Sequence, residues 1–138
     1  MSPTEIIRTF HMDLWGTGDL SAIDRFVAPD ARTVMTGFEG NTVEVLREDV
    51  QRYVGAFSEV TTTIDHLITE GDHVAMWWHT TGVHTGPYGD IAPAPTGASI
   101  TMEGVDLFTV TDDKIVEVTS FWDAAAVYRQ FGLLADGL

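Results

Sequence analysis

His73-Val74-Ala75-Met76-Trp77-Trp78-His79-Thr80-Thr81-Gly82-Val83-His84 is the stretch on which the fold turns. Its Val, Trp and Thr content favours a strand. Apolar side chains fall on both alternation sets, which suits a central strand covered on two faces. Gly71-Asp72 turns the chain in front of it, and Val60 to Ile68, rich in Thr and Ile, reads as the preceding strand. Behind it, Gly86 to Gly97 is a loop with three prolines. Ser99 to Val110 is the next strand, Asp112-Asp113 a hairpin, and Lys114 to Trp122 the last strand.

Helices flank this meander. Ser2 can cap a helix, Pro3 suits its first position and Glu5 supplies a capping box, after which Ile6, Ile7, Phe10 and Leu14 form one stripe. Gly16 and Gly18 end it. Asp19 can cap a short second helix with Leu20, Ile23, Phe26 and Val27 on its buried side, stopped by Pro29. Ala31 to Thr36 reads as a short strand. Asn41 and Glu44 open a third helix whose stripe is Leu46, Val50, Tyr53, Val54 and Phe57. Ala124 to Phe131 forms a short closing helix before Gly132. The expected fold is therefore α+β: a cone-shaped, curved antiparallel sheet with the N-terminal helices packed on it, enclosing one pocket, as a single domain over residues 1–138.

The chain has 138 residues, with 7 Lys+Arg against 21 Asp+Glu and a net charge of −14. Such a surface repels phosphate backbones and anionic lipid, so neither nucleic acid nor membrane is an expected partner. With 44% hydrophobic residues and four Trp, the acidity reads as a solvated surface on a globular core. The absence of Cys excludes thiolate nucleophiles and Cys-ligated metals. No stretch approaches the ~20 apolar residues of a membrane span. The N-terminus has no signal-peptide core, so a cytoplasmic location is expected.

Alternation nominates the pocket residues. On the central strand Trp77, His79 and Thr81 share one face; Met76, Trp78 and Thr80 share the other. We expect the first set in the pocket, with His79 as a proton shuttle or hydrogen-bond donor, and the second set on the outer face, where it could pair two copies into a homodimer. On the next strand Met102, Gly104, Asp106, Phe108 and Val110 share a face. Asp106 stands out there as a lone carboxylate among apolar neighbours. Desolvation raises the pKa of such a group into a range useful for acid–base chemistry.

The last hairpin admits two registers. A two-residue turn at Asp112-Asp113 sets Asp106 opposite Thr119, on a face with Phe121 and Asp123. A bulged turn sets it opposite Val118, on a face with Ser120 and Trp122. Asp123 reads either as the cap of the closing helix or as a second pocket carboxylate. His73, His79 and His84 lack metal-chelating spacing, and no nucleotide-binding or nucleophile-elbow motif occurs. Neither a metal nor a cofactor is implied.

Gly82-Val83-His84-Thr85-Gly86, Pro95-Thr96-Gly97, Asp106-Leu107-Phe108, Asp112-Asp113-Lys114-Ile115, Trp122-Asp123 and Arg129-Gln130-Phe131-Gly132 together resemble the SnoaL-like polyketide cyclase family, within the nuclear transport factor 2-like superfamily. The resemblance runs from the first helix to Gly132. It implies a cofactor-free enzyme of natural-product biosynthesis that closes a ring by intramolecular aldol condensation, with relatives that open epoxides or form cyclic ethers. The position that usually holds the family's catalytic Asp on the last strand is Ser120, a neighbouring His position on the strand before it is Asp106, and the Asp before the closing helix is kept as Asp123. This favours the bulged register.

The expected function is a cofactor-independent cyclase or isomerase acting on a hydrophobic, polyketide-type small molecule. Asp106 is its acid–base group, and His79, Ser120 and Asp123 complete the catalytic set. Trp77, Thr81, Phe108, Trp122, Met102 and Met35 are the expected lining. The alternatives are epoxide opening or cyclic-ether formation in the same pocket, or ligand binding without chemistry.

Overall fold

The computed structural model describes residues 1 to 135. Chain order is α1 (Pro3–His11), a π-helical turn (Met12–Gly16), α2 (Ser21–Phe26), β1 (Val27–Met35), β2 (Phe38–Asn41), α3 (Thr42–Ala56), β3 (Phe57–Glu70), β4 (His73–His84), β5 (Ser99–Thr111), β6 (Lys114–Trp122) and α4 (Ala124–Gln130). The caps expected at Ser2 and Asn41 form, whereas α2 is preceded by Leu20 and Asp19 Oδ1 accepts from the Ser21 N–H at 3.0 Å instead of capping the helix. Ser2 Oγ accepts from the Glu5 N–H, and Asn41 Oδ1 accepts from the Glu44 N–H, each at 3.2 Å.

The six strands form one sheet in the order β2-β1-β6-β5-β4-β3. Strands β3 to β6 are the expected antiparallel meander. The sheet as a whole is mixed rather than antiparallel, because β1 runs parallel to β6. The chain reaches β6 from β1 only after all the intervening strands, and such a long connection permits parallel pairing. β1 also starts earlier than expected, at Val27, and carries Pro29 within it.

Bulges lie in β3 at Ser58/Thr61 and Ile64/His66, and at the β5–β6 pair beside Val110. They increase local twist and let the sheet curl over the helices. The concave face packs on α1 and α2 through Ile6, Ile7, Phe10, Ile23, Met76 and Phe108. A second cluster, with Tyr53, Phe57, Met102, Val127 and Phe131, fills the end near α4. Gly86 secures that end: a Cβ there would lie 2.1 Å from the Gly55 carbonyl oxygen, so only glycine permits the loop to leave β4 along α3.

The hairpin resolves in a way that neither proposed register had in full. Asp112 and Asp113 both have positive φ (52° and 61°), and Thr111 pairs with Lys114 across them. This is a two-residue turn of the primed kind, matched to strand twist. The bulge falls later, where Val110 faces Ile115 but Thr109 faces Glu117. It shifts the pairing so that Asp106 stands opposite Ser120, not Thr119 or Val118. The face shared with Ser120 and Trp122 is the one the bulged register gave.

The faces of β4 are the reverse of the expectation. Val74, Met76, Thr80 and His84 are buried, while Trp77 is 45% exposed. Met76, Trp78 and Thr80 therefore face the interior and cannot form an outer contact surface. Trp77, His79 and Thr81 lie on the convex side. There the Trp77 indole N–H donates to Glu103 at 2.7 Å, and His79 Nδ1 meets Asp65 Oδ2 at 2.6 Å. The outer face satisfies its aromatic and imidazole groups with carboxylates that water also reaches.

Candidate active site

A cavity of about 350 Å³ opens between the concave sheet face and the helices. That is within the size range of small-molecule sites. Its walls are mainly apolar and aromatic: Phe10 from α1, Trp15 from the π turn, Met35 from β1, Leu46 from α3, and Met102, Phe108 and Trp122 from the sheet. No helix among the described residues is long and apolar enough to cross a membrane.

Asp106 sits on the floor of this cavity. β5 delivers it between Met76 of β4 and Ser120 of β6, its direct cross-strand neighbours. The Ser120 hydroxyl donates to Asp106 Oδ1 at 2.5 Å. Burial pushes the Asp106 carboxyl up to about 6; the hydrogen bond from Ser120 and the nearness of the Trp78 indole N–H oppose the rise without cancelling it. No cation contributes to its environment. Asp106 lines the cavity, so its residual accessible surface opens there. A ligand in place would remove that water as well.

The concave face also carries a polar chain. His11 Nε2 lies 2.8 Å from Thr62 Oγ1, which lies 2.8 Å from Thr80 Oγ1. Burial pushes the His11 imidazole down to about 4, so it is neutral at pH 7. Burial likewise raises the Tyr53 phenol, whose hydroxyl has no hydrogen-bond partner among the described residues. At the α3 edge, Arg52 and Asp49 line the cavity and pair at 3.3 Å. Tyr88, from the proline loop, completes this edge.

Of the residues expected at the site, Asp106, Ser120, Phe108, Trp122, Met102 and Met35 do line the cavity. His79, Trp77 and Thr81 do not, because β4 turns its other face inward. Asp123 does not either: its Oδ1 accepts from the Ala126 N–H at 3.0 Å, and it caps α4. Sequence reasoning missed His11, Trp15, Trp78 and Thr80. His11 and Trp15 are four residues apart, on the side of the chain that continues the Ile7 stripe. Trp78 and Thr80 follow Val74 and Met76 in alternation.

The arrangement supplies one group able to exchange a proton near neutral pH inside an apolar chamber. A carboxyl of pKa about 6 is mostly ionised at pH 7, yet is a stronger base than a solvated carboxylate. Ser120 cannot titrate in this range and acts only as a donor. Among the described residues no group of three or more His, Cys, Asp or Glu is placed to hold a metal ion.

The whole architecture is found in solved structures. A protein of Acidithiobacillus ferrooxidans described as a candidate polyketide cyclase is 26% identical, with a TM-score of 0.76 covering 97% of each chain. AclR of Streptomyces galilaeus, described as a candidate hydroxylase, is 21% identical at a TM-score of 0.83, covering 96% of this chain and 87% of its own. Wild-type IdmH of Streptomyces antibioticus is 24% identical at a TM-score of 0.79, covering 96% of this chain and 99% of its own. No curated protein matches the sequence. The sequence matches the SnoaL-like polyketide cyclase family over residues 5–131, which include every cavity residue named above, and the chain belongs to that family.

Proposed function

We propose that this protein is a cofactor-independent acid–base catalyst, a cyclase or isomerase, acting on a hydrophobic polyketide-type small molecule. The observation that carries the reading is Asp106: a carboxyl with its pKa raised by burial, facing a mainly apolar cavity, with no cation among the causes of its shift. In the forward step Asp106 takes a proton from a carbon acid of the bound ligand. The C–H electron pair moves into the adjacent carbonyl, giving an enolate that attacks a second carbonyl of the same molecule. Asp106 then returns its proton to the new alkoxide. Apolar walls exclude water from the enolate and hold the two ends of the ligand together.

His79, on the convex face, has no part in this reading, and neither does Asp123, which caps α4. Ser120 orients the carboxyl and lowers its basicity. The test incubates wild type and Asp106→Asn with linear and aromatic poly-β-ketone compounds in D₂O, following deuterium uptake and ring closure. The reading expects the variant to be slower by about 10²-fold or more. Full activity in Asp106→Asn would overturn it. Binding without exchange or closure in wild type would make the cavity a carrier site, and opening of an epoxide probe would move the chemistry to the alternative reaction.

A further inference from the structure

Trp78 has an unusual position. It stands opposite Gly104 in the β4–β5 pair, two residues along from the Met76–Asp106 pair and on the same face. A Cβ on residue 104 would lie 2.8 Å from Trp78 Cζ2, 2.6 Å from the Phe121 carbonyl oxygen and 3.0 Å from Trp122 Cβ. The missing side chain of Gly104 is the space into which the indole folds. The ring thereby lines the cavity floor beside Asp106. Its Nε1–H is sealed from water and makes no hydrogen bond of ordinary geometry among the described residues. A buried donor without a partner is rare and calls for a reason.

We infer that Trp78 is a positioning residue: its indole N–H and the Ser120 hydroxyl form a two-donor cradle for the Asp106 carboxylate, closing fully when Asp106 ionises, and Gly104 provides the room for it. A neutral carboxyl offers one strong acceptor oxygen, because the other carries the proton. On ionisation both oxygens become strong acceptors. Ser120 already holds Oδ1, so Oδ2 is the acceptor left for Trp78. The indole contribution to the Asp106 environment fits this arrangement.

Few other groups compete. β4 brings Met76 and Thr80 to this face, and β6 brings Val118 and Trp122. Across the cavity stand His11 of α1, Asp49, Arg52 and Tyr53 of α3, Thr33 of β1, and Tyr88 of the loop. None of these contributes to the charge environment of Asp106. The cradle rests on the proposed function only for its catalytic meaning; as a physical device it needs no substrate.

The test is a carboxyl ¹³C NMR titration of Asp106 in wild type, Trp78→Phe, Ser120→Ala and Met76→Leu. Removing one donor from a carboxylate should raise the midpoint by about one pH unit in the first two variants. Met76→Leu alters packing beside Asp106 without touching a donor and should leave the midpoint in place. Should Trp78→Phe not fold, the Trp78 indole N–H resonance of wild type decides: it should move with the Asp106 midpoint and stand still in Asp106→Asn. An unchanged midpoint in Trp78→Phe, or an indole resonance unmoved through the Asp106 titration, overturns the assignment. Full catalytic activity in Asp106→Asn would remove the proposed function and leave the cradle standing, so the two failures are distinct.

Discussion

Asp106 and Ser120 face each other directly across the β5–β6 pair, joined by a 2.5 Å hydrogen bond, because one extra residue after the hairpin shifts the register. Without that bulge Asp106 would face Thr119, and Ser120 would lie on the convex side. Deleting Val116, the extra residue itself, should remove the bulge and keep Asp106 opposite Ser120. The expected outcome is retained ligand binding, read by ligand titration; loss of binding at unchanged fold would show that the twist of the bulge also shapes the cavity.

Asp106 and His11 pull the pH dependence of stability in opposite directions. Asp106 has a folded pKa of about 6, raised from 3.8, so below the lower value its stability contribution is complete and it is lost as pH rises through 6. His11 has a folded pKa of about 4, lowered from 6.5. The unfolded chain binds the His11 proton first, so stability rises with pH between 4 and 6.5. Each is a change of order 3 kcal/mol, and the two nearly cancel. Wild type should show little slope from these groups between pH 4 and 6.5. Asp106→Asn should show stability climbing with pH, and His11→Gln should show it falling, both measured by urea unfolding across that window.

His79 lies on the convex face with Asp65, away from the cavity. His79→Gln should change activity and ligand affinity by less than about twofold, since surface substitutions outside a site do little. A tenfold loss in kcat at unchanged fold would show that the site extends through the sheet.

Asp123 caps α4 and does no chemistry in this account. Asp123→Ala should cost about 1 kcal/mol of stability, while Asp123→Asn should cost less because Asn also caps. Both should leave the pH profile of activity in place, which a pH–rate series checks.

Gly86→Ala should be far more damaging than its size suggests. The added Cβ would meet the Gly55 carbonyl oxygen at 2.1 Å, and neither backbone can easily yield. The loop carrying Tyr88 and the cluster around Phe57 and Phe131 must then shift, at a cost of order 3 kcal/mol. Thermal unfolding of the variant measures this.

Strands β4 and β6 and the caps at Ser2 and Asn41 were legible in the sequence, since turn residues and cap signals bound them sharply. Asp106 was legible too, as a carboxylate in an otherwise apolar alternation. The inner face of β4 was misread because aromatic residues occupy both sets. The set of His73, Ala75, Trp77, His79, Thr81 and Val83 is the more polar, and that was the usable signal. Pairing of β1 with β6 depends on tertiary packing alone and leaves no local trace. The turn residues alone leave the hairpin register open, because a bulge beyond the turn changes none of them; the family resemblance favours the face that the structure shows, with Asp106 and Ser120 together.

The most direct measurement is the carboxyl ¹³C titration of Asp106 in the wild-type protein. A midpoint near 6 is expected, displaced upward again when an apolar ligand fills the cavity and removes its water. A midpoint near 4 would mean a solvated carboxylate with no special basicity, and it would contradict the acid–base account of this site.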